Sequence, residues 1–349
     1  MASVNQVRQL LDFFDVKTTL SYVRAKQPQD YIGPTLFPMR NVNTLDIEYF
    51  KSSNKLPVMA TVQAFGAETP IASREGFQKV EGSIPAIKRK INLDERYLIA
   101  LRREGIGDMD IVRNEVFNDL DRMTASVHAR IEGLCIEALS TGKLTLAENG
   151  VILNVDYGVD STHKDTLETT ELWSAGATAT PVDDITTWTE KIVDDTGIRP
   201  TRALTSNTVI AALLKSQQIR EMIYGESGST RMLTLAQVNN LLAQMDLPQI
   251  AQYNQKYRIE AAAGTYTTTR FLDDSLFLLL PPDALGETLM GPTAEALMSD
   301  AGLSATEMSG LFSTVTSEDD PPAIWTKVAC TAIPTFPMAD AVFIATVLS

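Results

Sequence analysis

Between residues 109 and 138 apolar side chains recur at intervals of three and four: Met109, Val112, Val116, Leu120, Met123, Val127, Ile131, Leu134 and Ala138. That spacing averages close to one α-helical turn and predicts a single helix over 108–141, with Gly105 and Gly107 before it and Gly142 as its stop. At 1.5 Å per residue it would be on the order of 45 to 50 Å long, and its continuous stripe implies one elongated packing surface. A coiled-coil dimer is the competing reading, but a strict 3.5-residue repeat with charged flanks is not sustained.

Other stretches carry other periods. Val4, Val7, Leu10, Leu11 and Phe14 predict a short amphipathic helix over 3–14. DYIGPTLFPMRNVN at 30–43 reads as extended, because Pro34 and Pro38 fix φ and push the residues before them out of the α region. Tyr31, Ile32, Leu36, Phe37 and Met39 make this segment sticky, yet it is too short to form a core of its own. It needs a surface to lie on, either the rest of the chain or a neighbouring copy. TLDIEYFK at 44–51 alternates as a strand, a second extended stretch, SIPAIKRKINL, occupies 83–93, and the pair suggests a long hairpin.

Beyond the long helix, Glu-Asn-Gly at 148–150 marks a hairpin turn between alternating strands. A loop rich in Thr, Ser and Ala (160–181) leads to an amphipathic helix in PVDDITTWTEKIVDDTG. A short strand RALTS then precedes a helix NTVIAALLKSQQIREMI, an α/β arrangement. DDSLFLLLPP is a short apolar strand stopped by two prolines, and the last run, from AIWTKVAC to ATVLS, returns the C-terminus to a sheet.

The 349 residues suffice for two or three domains, and 44% hydrophobic with 21% charged residues suits a chain that buries a core. A net charge of −14 repels nucleic-acid phosphates and disfavours a free-standing DNA-binding role. The one dense basic cluster, Lys88, Arg89 and Lys90 followed by Arg96, Arg102 and Arg103, is interspersed with acidic residues and reads as a solvated or salt-bridged strand face. No basic-then-apolar leader opens the chain and no apolar run approaches the ~20 residues of a membrane span, so a cytoplasmic setting without membrane contact is expected.

Candidate chemistry is sparse. Cys135 and Cys330 form no CxxC pair, and Cys135 falls in the helical pattern as a small buried residue. His128 stands four residues before Glu132 and reads as its helix-face partner, while His163 in STHKDTLE reads as solvated. GESGS at 225–229 has Ser229 where a nucleophile elbow needs glycine, and TGKLT at 141–145 lacks the residues of a phosphate loop. The doublets Asp183/Asp184, Asp194/Asp195, Asp273/Asp274 and Asp319/Asp320 suit capping and turns, since adjacent side chains point apart. Neither a catalytic constellation nor a cofactor or metal site emerges.

The order of these elements resembles the subunit of a tailed-phage capsid, and more closely the lambda-type major capsid protein family. The resemblance is carried by YIGPTLFP at 31–38, PAIKRKINL at 85–93, GVILNVDYGVD at 150–160, LWSAGATATPVDDITTW at 172–188, FLDDSLFLLLPP at 271–282 and PPAIWTKVACTAIPTFPMADAVF at 321–343. It implies an α+β, HK97-like capsid fold: an N-terminal arm (1–40), an extended loop lying over a neighbour (41–92), a peripheral domain (93–181) with the 108–141 helix as its spine, an axial α/β domain (182–280), and a return segment (281–349) whose last strand rejoins the peripheral sheet.

It further implies a structural protein that assembles with itself into hexamers and pentamers of an icosahedral shell around double-stranded DNA. That DNA would be held without sequence-specific binding, and assembly would take place in the host cytoplasm. Implied partners are a separate scaffolding protein and a portal, with a decoration protein as a further candidate. Tyr31, Ile32, Phe37, Phe50, Phe65 and Phe77 are the candidate inter-subunit contacts. An encapsulin-type compartment shell shares the fold but not these motifs, and a soluble α/β enzyme is the rival from another class.

Overall fold

The long apolar stripe becomes a single helix of 34 residues, Asp108–Thr141. In this computed structural model the described residues are 13–26, 30–52, 77–93, 95, 108–225, 231–262, 264–299, 302–304, 307–320 and 322–349. The helix expected over 3–14 and the connection 53–76 fall outside them, save for residues 13 and 14.

Along the chain, α1 (Val16–Ala25) is capped by Asp15, whose carboxylate accepts the Thr18 N–H. The arm then makes one helical turn, α2 (Gly33–Leu36), and a short strand, β1 (Met39–Asn41). Strands β2 (Asp46–Ser52), β3 (Phe77–Ser83) and β4 (Ala86–Leu93) precede the long helix, α3 (Asp108–Thr141). The hairpin β5 (Lys143–Glu148) and β6 (Val151–Asp156) follows, then β7 (Lys164–Thr166) and α4 (Pro181–Thr196).

Next come β8 (Arg202–Thr205), α5 (Asn207–Leu213), α6 (Gln217–Tyr224), α7 (Leu235–Gln244) and β9 (Gln249–Gln252). A hairpin of β10 (Lys256–Ala262) and β11 (Thr265–Arg270) leads to β12 (Leu276–Leu280). The chain closes with β13 (Thr288–Gly291), α8 (Ala294–Leu297), β14 (Phe312–Asp319), β15 (Pro322–Pro334) and β16 (Phe343–Thr346).

Two five-stranded sheets organise the molecule. In the first, β15 pairs along one edge with β4 and along the other with β14 and then β13, and β1 runs parallel to β13. α3 lies on this sheet with Val116, Leu120, Met123, Val127, Ile131, Leu134 and Ala138 buried, so the stripe faces its own chain rather than a coiled-coil partner. The second sheet has the order β7-β16-β12-β8-β9. Its central strand LFLLL has both faces covered, which is why it is apolar at every position. Leu278 and Leu280 enter the core beneath α3, whereas Phe277 and Leu279 enter a second core with Trp173, Trp188 and Ile192. The buried indoles keep their polar ends satisfied: Trp173 donates to Asp184 at 2.8 Å and Trp188 to Asp165 at 2.9 Å.

Several expectations are corrected. β2 pairs with β3, Asp46 opposite Ser83, and not with the following stretch. The buried Ile84 and the donor-less Pro85 end that ladder, and residues 86–93 pass on as β4 into the first sheet, so the loop expected over 41–92 ends near 83. The final strand β16 lies between β7 and β12 in the second sheet, not in the peripheral sheet as expected, because Phe343 and Ala345 fill the tryptophan-lined core. β7 joins the same sheet, so that sheet takes in residues before the 182–280 span expected for the axial domain. Residues 207–223 form two helices, since Ser216 adopts an extended backbone (ψ 132°) between α5 and α6. The segment read as extended at 30–43 coils at 33–36, where Pro34 sits in the first turn of α2 and the missing N–H has no role to fill. The β5–β6 turn is as expected, with Asn149 and Gly150 at φ 48° and 82°.

Candidate assembly interface

The arm is fastened to its own chain by one buried carboxylate. Glu132, on the face of α3 that looks toward α2, accepts the backbone N–H of Ile32 at 3.1 Å and of Gly33 at 2.8 Å. Its Oε1 also accepts the Tyr253 hydroxyl at 2.5 Å, and Tyr253 directly follows β9. One side chain therefore holds the arm, the long helix and the second sheet together. The close approach requires glycine, because a Cβ on Gly33 would lie 2.3 Å from Glu132 Oε2. Burial raises the Glu132 carboxyl above its ordinary value, against the opposing pull of its three donors. His128 is also buried and its pKa is lowered by desolvation. The expected His128–Glu132 pairing is replaced, since Glu132 turns to donors from other elements.

The six contact candidates fare differently. Phe37 is fully buried against Phe336, with ring centroids 5.5 Å apart, so it is core and not a surface offered to a neighbour. Ile32 is half-buried against the main core, and half-buried Tyr31 packs edge-on to Phe271 at 5.6 Å. Phe50 and Phe77 fall at the paired ends of β2 and β3, next to the span 53–76, but their side chains are not among those described. Phe65 lies outside the described residues. Phe37 is thus taken up by its own core, Tyr31 and Ile32 each pack in part on their own chain, and the β2–β3 hairpin is the element that leads to the rest of the set.

The basic strand is salt-bridged in part to its own chain, in line with the expected salt-bridged strand face. Lys88 pairs with Glu295 at 2.7 Å, Arg89 with Glu260 at 3.0 Å, and the Lys90 ammonium lies over the Trp325 ring at 4.3 Å. Lys327 reaches the same Glu295 oxygen at 2.6 Å. Burial pushes the Glu295 carboxyl up, but the two ammonium groups prevail and bring it to about 2. Arg96, Arg102 and Arg103 lie outside the described residues.

The titratable groups singled out in the sequence are structural. His163 is buried, not solvated: Asp160 caps its 3-10 turn and Nε2 meets Asp195 at 3.0 Å. Asp183 and Asp184 occupy the first turn of α4, Asp273 caps the turn before β12, and Asp274 pairs with Arg270. Both thiols are buried and pushed up to about 12, so they stay protonated. Among the described residues no group of three or more His, Cys, Asp or Glu side chains could hold a metal ion, and no helix is long and apolar enough to cross a membrane.

Two features escaped the sequence reading. The β10–β11 hairpin projects from the second sheet with nearly every residue exposed. The Glu132 node was also missed, although a carboxylate beside a buried stripe is the signal that marks it.

The model of the family described as Phage major capsid protein E matches residues 16–347. The chain belongs to this family of phage major capsid proteins. Solved structures agree on the fold. A protein described as the capsid protein of a prophage of E. coli CFT073 is similar over 98% of both chains at 16% identity, with a TM-score of 0.62. A phage-related protein of Bordetella bronchiseptica RB50 covers 94% of this chain and 95% of its own at 15% identity and a TM-score of 0.50. A subunit of the mature capsid of bacteriophage PhiM1 is 10% identical over 92% and 88% of the two chains, again at 0.50. No match is found among curated proteins. The capsid protein therefore has the HK97-like fold expected from its element order, and its place is the virion capsid, where copies of one chain build a shell. The family is one of capsid proteins, as are the E. coli CFT073 prophage and PhiM1 neighbours by their descriptions, and the phage capsid is better supported than an encapsulin-type compartment.

Proposed function

We propose that this capsid protein closes, as hexamers and pentamers, into an icosahedral shell around double-stranded DNA, and that it carries no enzymatic activity. The family match over nearly the whole chain is the observation that carries this reading. Each subunit contact is weak, and repetition over many copies makes the shell durable, at roughly 25 cal/mol for each Å² of apolar surface buried. A net charge of −14 suits a wall that must not trap the DNA it encloses.

In this reading the β2–β3 hairpin and the 53–76 span it leads into form the loop that lies over a neighbour, with Phe50, Phe65 and Phe77 as contacts. α3 with the β15-centred sheet is the peripheral domain, and the β12-centred sheet with α4 to α7 is the axial domain at the capsomer centre. The protein assembles in the host cytoplasm. A separate scaffolding protein and a portal are its partners, and a decoration protein is a further candidate.

Electron microscopy of the purified protein, alone and with a candidate scaffold from the same gene neighbourhood, tests the reading. Closed shells, tubes or sheets of hexamers are expected, and a dispersed monomer in both samples would overturn it. Deleting residues 53–76, which spares the paired strands β2 and β3, is expected to leave a soluble, folded subunit that cannot close shells.

A further inference from the structure

The β10–β11 hairpin distributes its charges in an unusual way for an exposed ribbon. Its register sets Tyr257 opposite Thr269 and Ile259 opposite Thr267, with Thr265 next on the same face. Strand alternation puts Lys256, Arg258, Glu260, Tyr266, Thr268 and Arg270 on the other. The charged face is occupied with its own chain. Arg258 stacks over Tyr266 at 5.2 Å, Glu260 pairs with Arg89 of β4 at 3.0 Å, and Arg270 pairs with Asp274 at 3.0 Å.

The first face carries no charge at all. Ile259 is 48% exposed and Thr265, Thr267 and Thr269 are exposed, while Tyr257 anchors the base of the ribbon against Phe271. A two-stranded ribbon standing alone is marginal in water, and this one spends β-branched residues on the side that faces solvent. Such a face gains from being covered.

What covers it is constrained by charge. Two copies of a chain at −14 repel each other, so they can touch closely only where like charges are absent. An uncharged, β-branched face on a rigidly anchored ribbon meets that requirement. We infer that the Ile259 face of the β10–β11 hairpin packs against a second copy of this chain. This inference rests on the assembly reading and adds a contact made by the axial lobe, separate from the β2–β3 loop.

The test is assembly of the full-length Ile259→Asp/Thr267→Asp variant, in which a cross-strand pair puts two carboxylates on the face. Thr268→Asp, one residue along β11 on the charged face, is the control. Circular dichroism and thermal unfolding should show all three proteins folded alike, since the substituted side chains are exposed. The double variant is expected to lower the assembled fraction by at least about tenfold at equal concentration, with Thr268→Asp assembling as the wild type does. Full assembly of the double variant, or equal loss in the control, would overturn the inference.

If the wild type itself forms no shells, the assembly reading fails, and the inference is then decided by sedimentation equilibrium. Wild-type self-association that the double variant loses supports it, and monomers throughout refute it.

Discussion

Replacing Glu132 by alanine removes the acceptor on which three donors converge, the N–H groups of Ile32 and Gly33 and the Tyr253 hydroxyl. Glu132 is 1% exposed. A buried donor left without a partner costs ~1–3 kcal/mol, and relief of the carboxylate's own desolvation returns part of that sum. Three such donors, less that relief, should leave a net loss of about 3–5 kcal/mol.

Calorimetry of the unassembled subunit should show a transition lowered by roughly 5–12 °C for a chain of this size. Amide exchange in residues 30–37 should accelerate by about two to four orders of magnitude, because opening of the arm then no longer breaks those bonds. Glu132→Gln separates shape from chemistry. Its carbonyl can still serve Ile32 and Tyr253, but its amide N–H faces the Gly33 N–H, so it should recover only part of the loss. It should also change the pH dependence. Burial raises the Glu132 carboxyl in the folded state, so its stabilising contribution is complete below the ordinary carboxylate value and is lost as pH rises through the folded one. The glutamine variant lacks that slope. Unchanged exchange at 30–37 in Glu132→Ala would refute the fastening role outright.

Val127→Asp places an unpaired carboxylate where the side chain is 1% exposed, and it should yield insoluble protein or a molten subunit by near-UV circular dichroism; a well-packed, assembling variant would contradict the spine role of α3. Gly286→Ala would put a Cβ 2.0 Å from the Thr335 carbonyl oxygen, a backbone atom that cannot swing away. A loss of about 2–4 kcal/mol by thermal unfolding is expected, with wild-type stability as the refuting result. Glu295 is depressed to about 2, so its contribution is full above the ordinary carboxylate value and is lost as pH falls through about 2. Glu295→Gln should therefore flatten the acid limb of the stability profile between roughly pH 5 and 2, and an unaltered limb would show that Lys88 and Lys327 do not set it.

Local periodicity made much of this fold legible. α3 ends where Gly142 takes a φ of 73°, and the β5–β6 turn follows from Asn149 and Gly150, because such signals act within a few residues of themselves. The LFLLL strand was visible as well, although its double burial was not. What periodicity cannot carry is partner choice. An alternating strand reads alike whether its neighbour is 77–83 or 86–93, and the peptide that decides between them is Ile84-Pro85. The C-terminal strand went to the unexpected sheet for the same reason, since Phe343 and Ala345 are apolar enough for either core. The Glu132 node joins residues some hundred positions apart, and nothing local in the sequence distinguishes Gly33, which makes room for it, from any other glycine before a proline. Of the proposed contacts, Phe37 was misjudged because a sticky segment read alone does not reveal that its own chain supplies the receiving pocket.

The strand β12 lends Leu278 and Leu280 to one core and Phe277 and Leu279 to the other, so it acts as a party wall between two rooms. Neither room keeps its wall if the other is demolished. A fragment cut to hold only the α3 lobe would bare one pair of these side chains, and a fragment cut to hold only the lobe with the tryptophans would bare the other. Attempts to express either lobe as a free-standing piece should therefore give sticky, poorly soluble material. Foreign segments are best placed in surface turns such as Asn149-Gly150, well away from the partition.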